Sequence, residues 1–195
     1  GVIPISSSQD TAGPMARTVE DCALMFGAIV GHDPHDPASA LTPVQDCLAR
    51  LDEGVQGLRI GIVPGYFFSH LQPPVHAAVT AALKTLESAG AEVVDVDIRN
   101  IHGNISAQLT IESAEPITYH QRWLRERPDD YGADVRTLLE VGEMLLATHY
   151  LQAQRYRTLL RNEFLEAFAR VDIFLCPTLP FTATPVGAMK VVIEN

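Results

Sequence analysis

The apolar positions of this chain change period several times, and each change marks an element. Cys22, Met25, Phe26, Ile29 and Val30 recur at helical spacing and predict a helix that buries one face. Its start is legible. Thr18 suits an N-cap, Asp21 sits where a carboxylate reaches back to the cap, and Glu20 and Asp21 place negative charge in the first turn. Gly31 suits its stop. Ahead of the helix, Ser7 to Pro14 is rich in Ser, Asp, Gly and Pro, which predicts a loop of defined shape. Residues 1–5, Gly-Val-Ile-Pro-Ile, read as an edge strand, where proline is tolerated.

Residues 31–44 carry two Asp-Pro steps and form linked turns. A short helix is expected over 43–52, with Val44, Leu48 and Leu51 on one face. Leu58 to Val63 reads as a strand closed by Pro64-Gly65. Pro74 then opens a helix in which Val75, Ala78, Val79, Ala82, Leu83 and Leu86 make an apolar stripe, and Gly90 stops it. Glu92 to Ile98 follows as a second strand. Strand, helix and strand with short joints imply a parallel pair with a right-handed crossover, Val79 and Leu83 being buried. Residues 104–126 are helical in pattern, with Pro116 expected to kink or break them. A turn at Arg127 to Gly132 precedes helices over 133–146 and 148–170. The second of these carries Leu151, Tyr156, Leu159, Leu160, Phe164 and Phe168 on its apolar side. Ile173 to Cys176, ending at Pro177-Thr178, suits a central buried strand. Pro185 and Gly187 then interrupt a tail that runs to Asn195. The class is α/β, and 195 residues suit a single domain, 1–195.

Composition narrows the function. The chain is 47% apolar, as a packed protein should be. Its formal charge of −10 repels phosphate backbones and its basic residues form no stripe, so binding of nucleic acid by this chain is not expected. No apolar run is long enough to span a bilayer and no charged-then-apolar leader is seen, which argues against membrane association. The cysteines, Cys22, Cys47 and Cys176, are odd in number without C-x-x-C spacing. A reduced, cytoplasmic setting is the expectation.

Candidate chemistry is sparse. His32 and His35 invite a metal, yet Asp-Pro steps make such turns unaided, so no metal site is assigned. The strand–helix–strand unit lacks G-x-G-x-x-G and a Gly-Lys phosphate loop, which argues against a nucleotide-dependent transferase. Glu112, Glu115, His120 and Arg122 either face a pocket or, the favoured reading, form a solvated face. Arg155, Arg157, Arg161 and Arg170 read as a surface with snorkelling stems. Ser6, Ser7 and Ser8 have no base beside them in sequence, and the two lysines, Lys84 and Lys190, sit in a polar helix face and the tail. Asp10 has two open readings, one of which is that a buried carboxylate there pins its own loop by accepting backbone N–H groups.

The stretch S-Q-D-T-A-G-P-M-A-R-T-V-E-D, Ser8 to Asp21, resembles the S-x-D-T-x-G-P-M-A-R-T-V-x-D segment of amidase-signature hydrolases. Gly31 to Ser39 is similar to that family's G-x-D-P-x-D-P-x-S turn, and Gly57 to Gly61 to its G-L-R-I-G entry. Tyr150-Leu-x-Ala153, Arg157 and Asp172 to Thr178 continue the likeness. The resemblance implies a partial α/β/α fold with a mixed central sheet. It also implies amide hydrolysis by a serine nucleophile, a bridging serine and a lysine base, with no cofactor. In the family those residues precede the D-T-x-G-P-M-A-R-T element, so no catalytic residue is assigned here. The chain is expected to be an internal or C-terminal segment, truncated at both ends and inactive alone. The family includes the amidase component of glutamyl-tRNA amidotransferase.

By the same resemblance, Asp10 and Thr11 line the acyl site, while Arg17 ties the loop to the core. The substrate would be a small-molecule amide, chosen by residues within 104–146. Strand edges or helix faces left uncovered would be met by a homodimer or a partner chain. The alternative is a non-catalytic binding or assembly module on the same α/β scaffold.

Overall fold

The computed structural model describes residues 2–36, 38–188 and 190–193. Along these residues the elements are α1 (Val19–Ile29), β1 (Arg59–Ile62), α2 (Pro64–Phe67), α3 (Pro73–Ser88), β2 (Glu92–Asp95), α4 (Asn104–Glu126), α5 (Ala133–Glu143), α6 (Ala147–Phe168) and β3 (Ile173–Phe174). Short 3-10 turns at Ile101–Gly103 and Pro128–Asp130 flank α4. The chain divides into two compact units, Gly1–Gly54 with Ile111–Leu145, and Val55–Thr110 with Leu146–Asn195.

The second unit holds the sheet. Its order is β2-β1-β3, and both pairings are parallel. Ile60 is opposite Val93 on one side and Ile173 on the other. The expected parallel pair is therefore present, with α3 in the crossover. Val79 and Leu83 of α3 are buried, as their stripe predicts. Gly90 ends this helix at φ +95°, a conformation that side chains with a Cβ rarely adopt. The Ala91 N–H reaches the Leu86 carbonyl and the Gly90 N–H that of Glu87, the paired bonds of a Schellman stop.

The α/β class holds. Among the described residues all three strands are parallel, so an antiparallel neighbour that would make the sheet mixed is not among them. The place of one strand differs from expectation. The Ile173 segment lies at the edge beside a central β1, and Ile173 is 41% exposed. A short apolar run reports burial potential; pairing order decides which strand receives it. The core of this unit gathers Val63, Val96, Ile98, Ile101, Leu160, Ala167 and Val171. Tyr156, Phe164 and Phe174 pack against it. On α6 the buried line is Ala153, Leu160, Glu163 and Ala167, while Leu151, Leu159 and Phe168 are exposed.

The first unit departs further from its sequence pattern. Helix α1 begins as expected, with the Asp21 N–H donating to Thr18 Oγ1 at 3.0 Å. Yet none of its residues is buried, and Phe26 and Ile29 are 38% and 61% exposed. Residues 43–52 form no helix, 43–46 being irregular and 47–52 bends and turns, and 2–5 form no strand, Gly1 lying outside the described residues. Pro116 neither ends nor splits α4, which runs from Asn104 to Glu126 around it. The Thr118 hydroxyl donates to the Glu115 carbonyl at 2.6 Å beside the proline. Ile117, Leu124 and Leu139 form the core here, with Tyr131 against them. Gly142 of α5 meets the Ser113 carbonyl so closely that a Cβ would collide with it. Among the described residues no helix is long and apolar enough to cross a membrane.

Candidate functional site

The loop from Ile5 to Thr11 is a closed turn. The Ser6 carbonyl accepts the N–H groups of Gln9 and Asp10 at 2.9 and 2.8 Å. The Asp10 carboxylate returns the grip, accepting the Ile5 N–H at 2.9 Å and the Ser6 N–H at 3.0 Å. An aspartate ending a turn competes well for such donors, because its short side chain reaches them without strain. Asp10 is exposed and so is Thr11, whose hydroxyl donates to the Gln9 carbonyl at 3.1 Å. The backbone contacts of one of the two readings of Asp10 are thus present, although its carboxylate is exposed rather than buried. Arg17 is exposed and makes no hydrogen bond or ion pair among the described residues, so it does not tie the loop to the core.

A second grip comes from α4. Glu115 is buried, and its Oε2 accepts the Ser6 hydroxyl at 2.6 Å and the Ser8 N–H at 3.0 Å. Its Oε1 accepts the Ser8 hydroxyl at 2.6 Å. These are short contacts of the kind made to a charged acceptor, and they offset the cost of burying a carboxylate. Glu115 therefore does not belong to a solvated face, as its sequence context suggested. The available signal was Ile111, almost wholly buried four residues earlier and so on the same helix face. His120 also turns inward, its Nδ1 lying 3.0 Å from the Tyr131 hydroxyl beside Tyr119 and Trp123. Arg122 does face solvent, paired with Glu126 at 3.0 Å.

The Ser6 and Ser8 hydroxyls give their protons to a carboxylate already committed to several donors. Lys84 and Lys190 are both exposed. His32 and His35 are engaged within their own turn, the first with the Ser39 hydroxyl at 3.0 Å and the second with Asp33 at 3.1 Å.

The second unit carries its own polar cluster. The Asn100 N–H donates to Glu163 Oε2 at 3.1 Å, its side-chain amide donates to Oε1, and the Tyr156 hydroxyl donates to the Asn100 carbonyl. The side-chain amide, then the backbone N–H, hold the Glu163 carboxyl below its ordinary value. Glu163 was missed in the sequence because its donor, Asn100, lies 63 positions away.

Residues 1–194 of the 195 match the profile of the Amidase family. It is 44% identical over 187 residues to an amidase of Pseudomonas putida, covering 96% of this chain and 40% of that protein. It is 37% identical over 211 residues to the A-type subunit of the glutamyl-tRNA(Gln) amidotransferase of Pseudomonas aeruginosa, covering 96% and 44%. A similar fold occurs in an inhibitor-bound vestigial protein complex bearing on the origins of an s-triazine catabolic enzyme. There the TM-score is 0.85 at 31% identity, over 93% of this chain and 39% of that one. The chain thus spans less than half the length of these relatives. With a match across nearly every residue, it belongs to the Amidase family.

Proposed function

We propose that residues 1–195 form part of an amide hydrolase, which cleaves a carboxamide C–N bond through a serine nucleophile and a lysine base lying outside them. Family membership carries this reading. The exposure of Lys84 and Lys190 supports placing the base elsewhere, since a lysine that acts as a base at neutral pH needs burial to lower its pKa. The commitment of Ser6 and Ser8 to Glu115 supports the same placement for the nucleophile.

In this reading Asp10 and Thr11 stand on the wall of the substrate pocket, and the substrate is a small-molecule amide. Both compact units belong to one domain, as the continuous family match favours. The exposed apolar residues of α1 are covered in the working enzyme by further protein, a second copy or a partner chain. The thiols of Cys22, Cys47 and Cys176 are free, which favours a cytoplasmic setting.

Replacing Asp10 by alanine in the enzyme tests the pocket assignment. A large fall in kcat/KM with unchanged thermal stability supports it. A fall in stability alone reduces Asp10 to a pin for its loop. Saturable amide turnover by residues 1–195 alone, with contamination excluded, would overturn the placement of catalysis outside them.

A further inference from the structure

Glu115 is separated from Ser6 by 109 positions in sequence, yet both of its carboxylate oxygens are engaged by the Ser6–Ser8 turn. An apolar side chain would cover the same helix face beside Ile111 without the desolvation cost of a buried carboxylate. What the carboxylate adds is direction. Two hydroxyls and one backbone N–H fix the turn in translation and in rotation.

The grip does not stop at the two serines. Ser6 is joined to Asp10 through the carbonyl that accepts the Asp10 N–H at 2.8 Å and through the N–H that Asp10 Oδ1 accepts at 3.0 Å. Thr11 follows directly, its hydroxyl on the Gln9 carbonyl. A displacement of Ser6 therefore carries Asp10 and Thr11 with it. Asp10 closes the turn from within, and the Glu115 side chain sets where the closed turn sits relative to α4.

We infer that Glu115 is a positioning residue for substrate binding: through Ser6 and Ser8 it holds Asp10 and Thr11 in place. The inference rests on the reading of Asp10 and Thr11 as pocket-wall residues of an amidase. Glu115 touches no substrate and moves no proton in the reaction. Its loss should weaken binding without altering the pH profile of turnover.

The test uses Glu115→Gln, Glu115→Asp and Ser8→Ala in the full-length enzyme. Amide hydrogen exchange at Ser8, Gln9 and Asp10 is followed beside thermal unfolding and steady-state kinetics. Glutamine keeps the shape and loses the second acceptor oxygen. It should speed exchange at these amides and raise KM, each by about tenfold or more, as expected when hydrogen bonds to a charged group are lost. The value of kcat and the pH profile should be little changed, and Glu115→Asp should restore part of the loss. Ser8→Ala removes one hydroxyl from an exposed residue and should act in the same direction with smaller effect, so the inference remains testable if Glu115→Gln fails to fold. Wild-type exchange in a folded Glu115→Gln or in Ser8→Ala would overturn the clamp. Faster exchange with wild-type KM would overturn the positioning role. A wild-type enzyme without amide turnover would sink the amidase reading instead, and the exchange data would still decide whether Glu115 holds the loop.

Discussion

Arg59, at the start of β1, and Asp172, just before β3, are joined by a two-pronged ion pair across 113 positions of sequence. Arg59 Nη2 lies 2.7 Å from Asp172 Oδ1 and Nε lies 3.1 Å from Oδ2, which also accepts the Arg59 N–H at 2.9 Å. The two sequence stretches that resemble family motifs near residues 57–61 and 172–178 thus meet at one corner of the sheet.

This pair predicts a pH dependence. The Arg59 guanidinium, then its backbone N–H, bring the Asp172 carboxyl down from 3.8 to about 2. A depressed folded-state value means the contribution is complete above the ordinary value and is lost as pH falls through the folded one. The stability difference between wild type and Asp172→Asn should be constant above about pH 4 and shrink toward zero near pH 2. Urea unfolding across that range checks it. Added salt should also shrink the difference, because both side chains are about 40% exposed. A difference that grows on acidification would contradict the assignment.

Asn100 and Glu163 make a second prediction. Replacing Asn100 by alanine removes the side-chain donor from a buried carboxylate and should cost about 2 kcal/mol, the range for a hydrogen bond to a charged group. In a Glu163→Ala background the same change should cost much less. A double-mutant cycle by denaturant unfolding measures the coupling.

Two glycines should respond to alanine with opposite sign. At Gly142 the new methyl meets the Ser113 carbonyl, a backbone atom that a rotamer change cannot move away, and the cost should be about 1–3 kcal/mol. At Gly27, inside α1, nothing lies within 4 Å of a built Cβ. Alanine there should stabilise by about 0.5–1 kcal/mol through helix propensity alone. Paired thermal melts suffice, and equal effects at the two sites would refute the packing argument.

Lys84→Gln and Lys190→Gln, made in the full-length enzyme, should leave kcat/KM unchanged, since both lysines are solvated. A loss of turnover in either, with the fold intact, would bring the catalytic base inside these residues.

Local rules were enough for the helix starts and stops and for the parallel pair. The Thr18 cap, the Gly90 stop, and the burial of Val79 and Leu83 each depend on residues within a turn or two, so the sequence states them directly. The Ser8–Asp21 motif carried the family, and pinning was one of two readings open for Asp10 because its donors are close along the chain. What failed were inferences that depended on a partner far away in sequence. Helix α1 has an apolar stripe that stays exposed, because periodicity marks a face without saying what covers it. Among the described residues the Ile173 run is an edge rather than a centre, because strand order is a property of the whole sheet. Pro116 does not break α4, which runs on through it, and nearby Ile111 and Ile117 are buried. Glu115 reads as a solvent-facing charge and Glu163 draws no notice until their donors, from Ser6, Ser8 and Asn100, arrive from distant positions. A charge is buried only where such donors converge, and that convergence exists in three dimensions alone.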